Sequence, residues 1–418
     1  MPYGDKTYKI VVSINNFDKE ETLGLKSLLM YRNIGEKMKF IHLGDLHIGK
    51  SVNEFSMIED QRYILQQILK IVEDEAIDGV LMAGDIYDKT IPSEEAVKVF
   101  DWFLNELVKR KTKTFIVSGN HDSDERLNFG SNMFRNSDIY IAGKYEGQIQ
   151  KVTLEDKQGP LNVWMIPYIK ASRVGHFYPD KDTSSYDAAF RTALEAADID
   201  ESQRNVVMVH QFVTGRSKEV ETAGSETRAL NVGNVERIRS DCFDIFDYVA
   251  MGHIHKAQAV GRETCRYSGS LLKYSVDLNE INSVKSVPIV ELKEKGQVEV
   301  QLVELKPRRD IRHIKGKLED LIKSAEGKDD YIYATLTDEE TQFDALARLR
   351  EVYPNVMKLD YDNSSTRAMD QFQGDIQVEG KDFHEMMGDF YSMILGTEPD
   401  DEDWKLIEEV AREAGVIE

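Results

Sequence analysis

The stretch Phe115-Ile116-Val117-Ser118-Gly119-Asn120-His121-Asp122 decides how this chain is read. A short apolar, β-prone run gives way to Gly-Asn-His-Asp, the pattern of a buried strand opening into a polar loop. Four further stretches repeat the form. Phe40 to Leu43 precedes Asp45-Leu46-His47, and Val80 to Ala83 precedes Gly84-Asp85. Val206 to Val209 ends in His210, and Tyr248 to Met251 leads into Gly252-His253-Ile254-His255. Strands ending at one edge of a sheet bring such side chains together, because the sheet fixes where each loop begins.

Between these stretches the pattern predicts helices. Over Ile58 to Ala76, Ile64, Ile68, Ile71 and Val72 recur on one helical face. Ser93 is a capping residue before Glu94 and Glu95, and the helix it opens closes at Lys109-Arg110-Lys111, as the helix dipole favours. Strand alternating with helix argues for an α/β fold, with helices packed on a largely parallel sheet. Gly147 to Leu154 and Leu161 to Pro167 read as a hairpin about Gly159-Pro160, and Ser185 to Ala197 as a helix. The polar stretch 211–233 is long enough to be a functional loop. Strands follow at Ser286 to Leu292 and Val298 to Leu305.

Four segments result. Residues 1–37 precede the first strong pattern and carry no assigned role. Residues 38–305 form the principal domain, and Lys306-Pro307-Arg308-Arg309 marks a boundary. Residues 306–376 form a smaller α/β unit, with a strand at Tyr331 to Leu336 and a helix at Phe343 to Tyr353. Residues 377–418 hold a helix pair. One helix bears Phe383, Met387, Phe390, Tyr391 and Ile394, the other Trp404, Ile407 and Val410.

The 418 residues carry a formal charge of −22, which argues against indiscriminate binding to nucleic acid. The charge is uneven, since residues 377–418 contribute thirteen acidic and three basic side chains. The rest of the chain is therefore less hostile to phosphates than the total implies. Two cysteines without CxxC spacing, Cys242 and Cys265, make a disulfide framework or a cysteine zinc site unexpected. No apolar run is long enough for a transmembrane helix, and no secretory signal is apparent, so the expected location is the cytoplasm.

The strand ends supply two carboxylates, one amide oxygen and four imidazoles: Asp45, His47, Asp85, Asn120, His210, His253 and His255. Seven groups are too many for one metal ion and suit two. Two ions can share a carboxylate and activate a water to attack phosphorus in line. Asp85, a lone carboxylate on the middle strand, is the natural bridge. Mixed nitrogen and oxygen ligands favour Mn²⁺, Fe²⁺ or Zn²⁺ over Ca²⁺ or Mg²⁺. His121 is placed to protonate a leaving oxygen or to stabilise phosphate charge, and Asp122 is a candidate to orient it. Any one of these groups alone could cap a turn. Five such stretches would require five unrelated coincidences. His42, His176, His313 and His384 lack that company and read as structural.

Together these motifs resemble the signature of the calcineurin-like metallophosphoesterases. Tyr267-Ser268-Gly269-Ser270-Leu271-Leu272-Lys273-Tyr274-Ser275 and Arg309-Asp310-Ile311-Arg312 resemble one branch more closely, the SbcD family of bacterial nucleases, related to the Mre-type repair nucleases. The resemblance runs from Met38 almost to the C-terminus. It implies a four-layer α/β/β/α sandwich, a DNA-contacting capping domain over 306–376, and C-terminal helices that dock on an SbcC-type ABC ATPase. It implies one metal on Asp45, His47, Asp85 and His255 and another on Asp85, Asn120, His210 and His253, with Mn²⁺ the expected ion. It further implies a homodimer within a heterotetramer that associates with the nucleoid and no membrane. The implied activity is 3′→5′ exonuclease action on double-stranded ends and endonuclease action on single strands and hairpins, in repair, recombination and replication.

Arg308, Arg309, Arg312 and Lys315 are candidate DNA contacts, and Phe383, Met387, Phe390, Tyr391 and Trp404 candidate partner contacts. Archaeal relatives carry a second histidine three residues after the bridging aspartate, where this chain has Asp88. Two other readings compete. One is a protein phosphatase or small-molecule phosphodiesterase of the same superfamily; the protein phosphatases carry Arg and Glu where this chain has Lys89 and Asp122, and a minimal phosphatase has no use for the residues after Lys306. A non-catalytic DNA-end tether predicts lost metal ligands, and none is lost.

Overall fold

The computed structural model describes residues 37–215, 220–223, 237–324, 326–364, 366–367, 382–395, 397–413 and 416. The N-terminal extension up to residue 36, much of the polar stretch 211–233 and the start of the C-terminal segment lie outside the described residues. The chain divides into two compact units. The first comprises Met1–Lys50, Ile58–Leu272 and Ser283–Lys306, and the second Ser51–Met57, Lys273–Asn282 and Pro307–Glu418. Two short segments from within 38–305 thus cluster with the second unit.

In the first unit, β1 (Met38–Leu43), β2 (Gly79–Ala83), β3 (Lys113–Val117) and β4 (Ile139–Ala142) are followed by the hairpin β5 (Gln150–Asp156) and β6 (Gly159–Ile166). Next come β7 (Arg204–His210), β8 (Tyr248–Gly252), β9 (Gln258–Val260) and β10 (Arg262–Tyr267), then β11 (Ser286–Leu292) and β12 (Val298–Glu304). They form two six-stranded sheets, ordered β12-β11-β1-β2-β3-β4 and β9-β10-β8-β7-β6-β5. The central strands of each sheet are parallel, and the antiparallel pairs lie toward the edges. Register aligns the carboxyl ends: Leu43 faces Met82, Ala83 faces Val117, and His210 faces Gly252.

The layers follow from which faces are apolar. Phe40, Leu81, Phe115 and Val117 of the first sheet pack against Val163, Met165, Met208, Tyr248 and Ala250 of the second. Each such side chain removed from water contributes about 1.5–3 kcal/mol. The other face of the second sheet buries Val207, Val209 and Met251 under Ala189, Phe190 and Ala193 of the helix Tyr186–Glu195. The helix Ile58–Asp74 buries Ile64, Ile68 and Val72 of the periodic face that the sequence marked, and the helix Glu94–Lys109 buries Phe100, Phe103 and Leu107. Ser93 caps the second of them by accepting the N–H of Ala96 at 3.2 Å.

In the second unit, β13 (Ile311–Gly316), β14 (Tyr331–Leu336) and β15 (Val356–Tyr361) form a parallel sheet. Its core is Leu318, Ile332, Ala334, Leu336, Leu349, Tyr353 and Val356. Only β14 was legible in sequence, because β13 and β15 carry polar and charged side chains on their partly exposed positions. The helix expected from Phe343 begins at Ala345, and Phe343 is 93% exposed because Asp344, at φ +52°, turns the chain just before the first helical turn. Two further helices span Phe383–Leu395 and Asp401–Glu413.

Candidate metal centre

The carboxyl ends of β1, β2, β3, β7 and β8 converge, and backbone hydrogen bonds tie their loops. The N–H of Asp45 donates to the Gly84 carbonyl at 3.2 Å and that of His47 to the Asp85 carbonyl at 2.9 Å. Asp45, His47, Asp85 and His253 all have positive φ, a conformation that costs an ordinary residue free energy and that clusters at functional sites. Two glycines make the approach possible. A Cβ on Gly84, itself at φ +82°, would stand 2.2 Å from His210 Nδ1. A Cβ on Gly119 would stand 2.1 Å from Asp85 Oδ1.

All seven strand-end groups named from the sequence meet here. His47 Nε2 and His255 Nε2 are 3.0 Å apart. Asp85 Oδ2 lies 3.5 Å from His47 Nε2 and 3.3 Å from His210 Nε2, between the two imidazoles. Asn120 Oδ1 is 3.1 Å from His210 Nε2 and 3.0 Å from His253 Nδ1. Ligand atoms of Asp45, His47 and His255 lie within 4.8 Å of one another, as do those of Asp45, Asp85 and His210. Two nitrogens bound at about 2.1 Å and at right angles to one ion would stand about 3 Å apart, so the spacing fits a metal.

The electrostatics agree. Burial pushes the His47 and His253 imidazoles down to about 3 and that of His255 well below its ordinary range, which keeps these rings neutral, the form in which histidine ligates a metal. Burial opposes charge on Asp85 too, yet His210 and His47 hold its carboxyl well below the ordinary range. His210 is likewise opposed by burial but is pushed up to about 9 by Asp85 and Asp45. Its Nδ1 donates to the Ala83 carbonyl at 2.8 Å, which turns Nε2 toward Asp85 and Asn120.

His121 stands beside this cluster, its ring 4.8 Å from that of His47, and its backbone N–H donates to Asp85 Oδ1 at 2.9 Å. The expected partnership with Asp122 is corrected. The His121 Nδ1 donates to the Asp88 carbonyl at 2.9 Å, whereas the Asp122 carboxylate accepts the backbone N–H groups of Gly119, Ile86 and Tyr87 at 2.9–3.1 Å. Asp122 therefore braces the loop. Burial and the neighbouring Asp85 push its carboxyl up to about 6.

The contacts of other groups at the site were not legible in sequence, although Asp88, Tyr267 and Ser270 were named there. Asp88 Oδ1 is 2.8 Å from Lys50 Nζ and 3.6 Å from His47 Nδ1. The buried Lys285 donates to the His255 carbonyl at 3.1 Å and to Ser270 Oγ at 2.8 Å. Tyr267, in the motif that carried the resemblance, accepts the N–H of Val213 at 2.6 Å and donates to the Gln211 carbonyl at 3.0 Å. Such supporting residues lack sequence periodicity, and only proximity reveals them.

The remaining candidates lie in the second unit. Arg309 sits over the Tyr331 ring at 4.9 Å, Arg312 Nε pairs with Asp330 at 2.7 Å, and Lys315 pairs with Asp362, while Arg308 is exposed. In the helix pair, Trp404 stacks near His384 at 5.0 Å and His384 meets Glu408 at 2.9 Å. Trp404 thus packs within the pair, whereas Phe390 is 47% exposed.

Comparison with known proteins agrees with this geometry. The family model described as calcineurin-like phosphoesterase matches residues 38–257, and one described as Type 5 capsule protein repressor C-terminal domain matches 307–393. The SbcD component of the SbcCD nuclease of Staphylococcus epidermidis is 33% identical over 328 residues, covering 77% of this chain and 85% of that protein. Among solved structures, GAP50 of the Plasmodium inner membrane complex is 13% identical, covers 79% of this chain and 99% of its own, and has a TM-score of 0.35. A dimetal phosphatase from Danio rerio is 10% identical, covers 65% of this chain and 98% of its own, and has a TM-score of 0.35. Scores that low carry no argument.

Proposed function

The chain belongs to the calcineurin-like phosphoesterases and, within them, to the SbcD family of nucleases, and on that premise we propose that it is the metal-dependent nuclease of a DNA-end-processing complex. The observation that carries the reading is Asp85 Oδ2, standing between His47 and His210 at 3.5 and 3.3 Å. A shared carboxylate of this kind suits two divalent ions, Asp45, His47, Asp85 and His255 holding one and Asp85, Asn120, His210 and His253 the other. Mixed nitrogen and oxygen donors favour Mn²⁺, Fe²⁺ or Zn²⁺ over Ca²⁺ or Mg²⁺, and among these the family resemblance singles out Mn²⁺. Such ions, when bound, supply an activated water and neutralise phosphate charge. His121, fixed through its Nδ1, meets the leaving oxygen or the phosphate.

The substrate is double-stranded DNA ends and hairpins, cut 3′→5′ and endonucleolytically. The partner is an SbcC-type ABC ATPase, met by the helices Phe383–Leu395 and Asp401–Glu413 of a homodimeric nuclease within a heterotetramer. Residues 306–376 add DNA contacts through Arg308, Arg309, Arg312 and Lys315, of which Arg312 and Lys315 also meet carboxylates. No helix among the described residues is long and apolar enough to cross a membrane, and we place the protein in the cytoplasm, at the nucleoid when on DNA.

The test is cleavage of an end-labelled blunt duplex in Mn²⁺ by the purified chain, alone and with the ATPase. Degradation that vanishes in Asp85→Ala is expected. An intact duplex in both mixtures, with turnover of a small phosphodiester, would replace this reading with a phosphodiesterase of another substrate.

A further inference from the structure

A cleft of about 530 Å³ opens directly off the metal centre, and nothing in the reaction described above uses it. Asn120 belongs to both: its side chain lies against His210 and His253, and the same residue lines the cleft. The volume falls in the range of small-ligand sites and accommodates a nucleotide.

The lining is suited to a polyanion. Lys144, Lys170 and Arg173 project from its walls. Lys144 is matched by Glu125. Lys170 is exposed and has no ion pair among the described residues. Arg173 is pinned by Nε donating to the Tyr145 carbonyl at 3.1 Å and by the Phe177 ring 5.1 Å away, so no carboxylate among the described residues consumes its charge. The acidic groups present are already engaged, Asp122 by three backbone N–H groups and Asp124 by the N–H of Glu125. Tyr168 stands where the cleft meets the centre, its ring edge-on to His210 with centroids 6.5 Å apart. An aromatic ring beside unneutralised cations is how proteins grip a single strand: the base stacks and the phosphate is paired.

We propose that this cleft holds the nucleotide adjoining the scissile phosphate, with Lys170 and Arg173 on the next phosphate of the strand and Tyr168 beside its base. The proposal rests on the nuclease reading and adds to it a single-strand subsite within the first unit. A duplex end must then fray by at least one nucleotide to be cut, because the cleft seats one strand.

The test is binding of a fluorescent single-stranded 12-mer to the full chain in Ca²⁺, read by anisotropy across a salt series, with cleavage in Mn²⁺ read separately. Removing two phosphate contacts in Lys170→Gln/Arg173→Gln should flatten the slope of log affinity against log salt by about 1.4 and weaken binding about 25-fold at 0.1 M salt. Lys170→Gln alone, a surface change that cannot unfold the chain, should flatten it by about 0.7. Lys98→Gln/Lys109→Gln, on the helix Glu94–Lys109, alters net charge equally and should keep the wild-type slope. Slopes equal in the cleft and control variants, or no binding by the wild type, overturn the proposal. Binding with the expected slopes but no DNA cleavage would instead overturn the nuclease reading and leave the cleft a strand-binding site.

Discussion

His47 and His255 present their Nε2 atoms to each other 3.0 Å apart, with both side chains almost wholly buried. Two neutral imidazoles so close and so dry gain most from a shared cation. The chain should bind two Mn²⁺ ions, and His255→Ala should lower the tightly held metal toward one. Cleavage should fall by more than the roughly 100-fold that outer-shell partners command. Elemental analysis after gel filtration reads the stoichiometry, and two retained ions in the variant would refute the assignment.

His121 touches the cluster by ring contact with His47 and is held by the Asp88 carbonyl. His121→Ala should keep both ions and lose about 100-fold or more in cleavage rate, the scale of a lost proton donor. A variant that cuts at the wild-type rate removes His121 from the reaction.

Asp88 is a positioning residue. Its carboxylate faces both Lys50 and the far nitrogen of His47, while its carbonyl orients His121. Asp88→Asn preserves the backbone and the shape and removes the charge. Metal affinity should weaken about 10–100-fold, with the melting temperature of the metal-free chain little changed. Calorimetric titration with Mn²⁺ decides it, and an unaltered affinity would make Asp88 a loop residue only.

His42 lies between the sheets, its Nδ1 2.9 Å from the Tyr248 hydroxyl, and burial, helped by Arg266, pushes it down to about 3. The unfolded chain titrates it near 6.5. Between these values the unfolded state binds the extra proton, so stability is full above pH 6.5 and falls as pH falls, by up to about 1.4 kcal/mol per pH unit. His42→Gln should therefore lose about 2 kcal/mol less than wild type between pH 7.5 and pH 5. Urea unfolding in chelator measures this, the remaining histidines being common to both proteins. Parallel losses would show that His42 does not govern the acid limb.

The helices Phe383–Leu395 and Asp401–Glu413 close on each other through Trp404 and His384 but leave Phe390, Leu406 and Val410 exposed. Ending the chain before residue 381 should abolish co-purification with the ATPase while sparing cleavage of short DNA. ATPase retained by the truncated chain would move the docking surface elsewhere.

Strand ends were legible because each pairs a short buried run with an Asp, Asn or His, a local pattern that needs no knowledge of the fold. Phe40 to Leu43 and Val80 to Ala83 could only be interior strands, so the α/β class and the seven clustered residues followed. β13 and β15 were illegible because partly exposed strands lose the apolar signature, and only pairing with β14 makes them strands.

The sequence by itself determined which residues stand at carboxyl strand ends, since each follows a short buried run; that the ends of β1, β2 and β3 meet those of β7 and β8 was decided by the packing of the two sheets on each other. Only the tertiary structure decided what each residue does there. Adjacency suggested that Asp122 orients His121, but Asp122 accepts the backbone N–H groups of Gly119, Ile86 and Tyr87, and His121 donates to the Asp88 carbonyl. Hydrogen bonds depend on orientation, and in this loop orientation is set by packing against Asp85 and His210, residues 37 positions earlier and 88 later than Asp122.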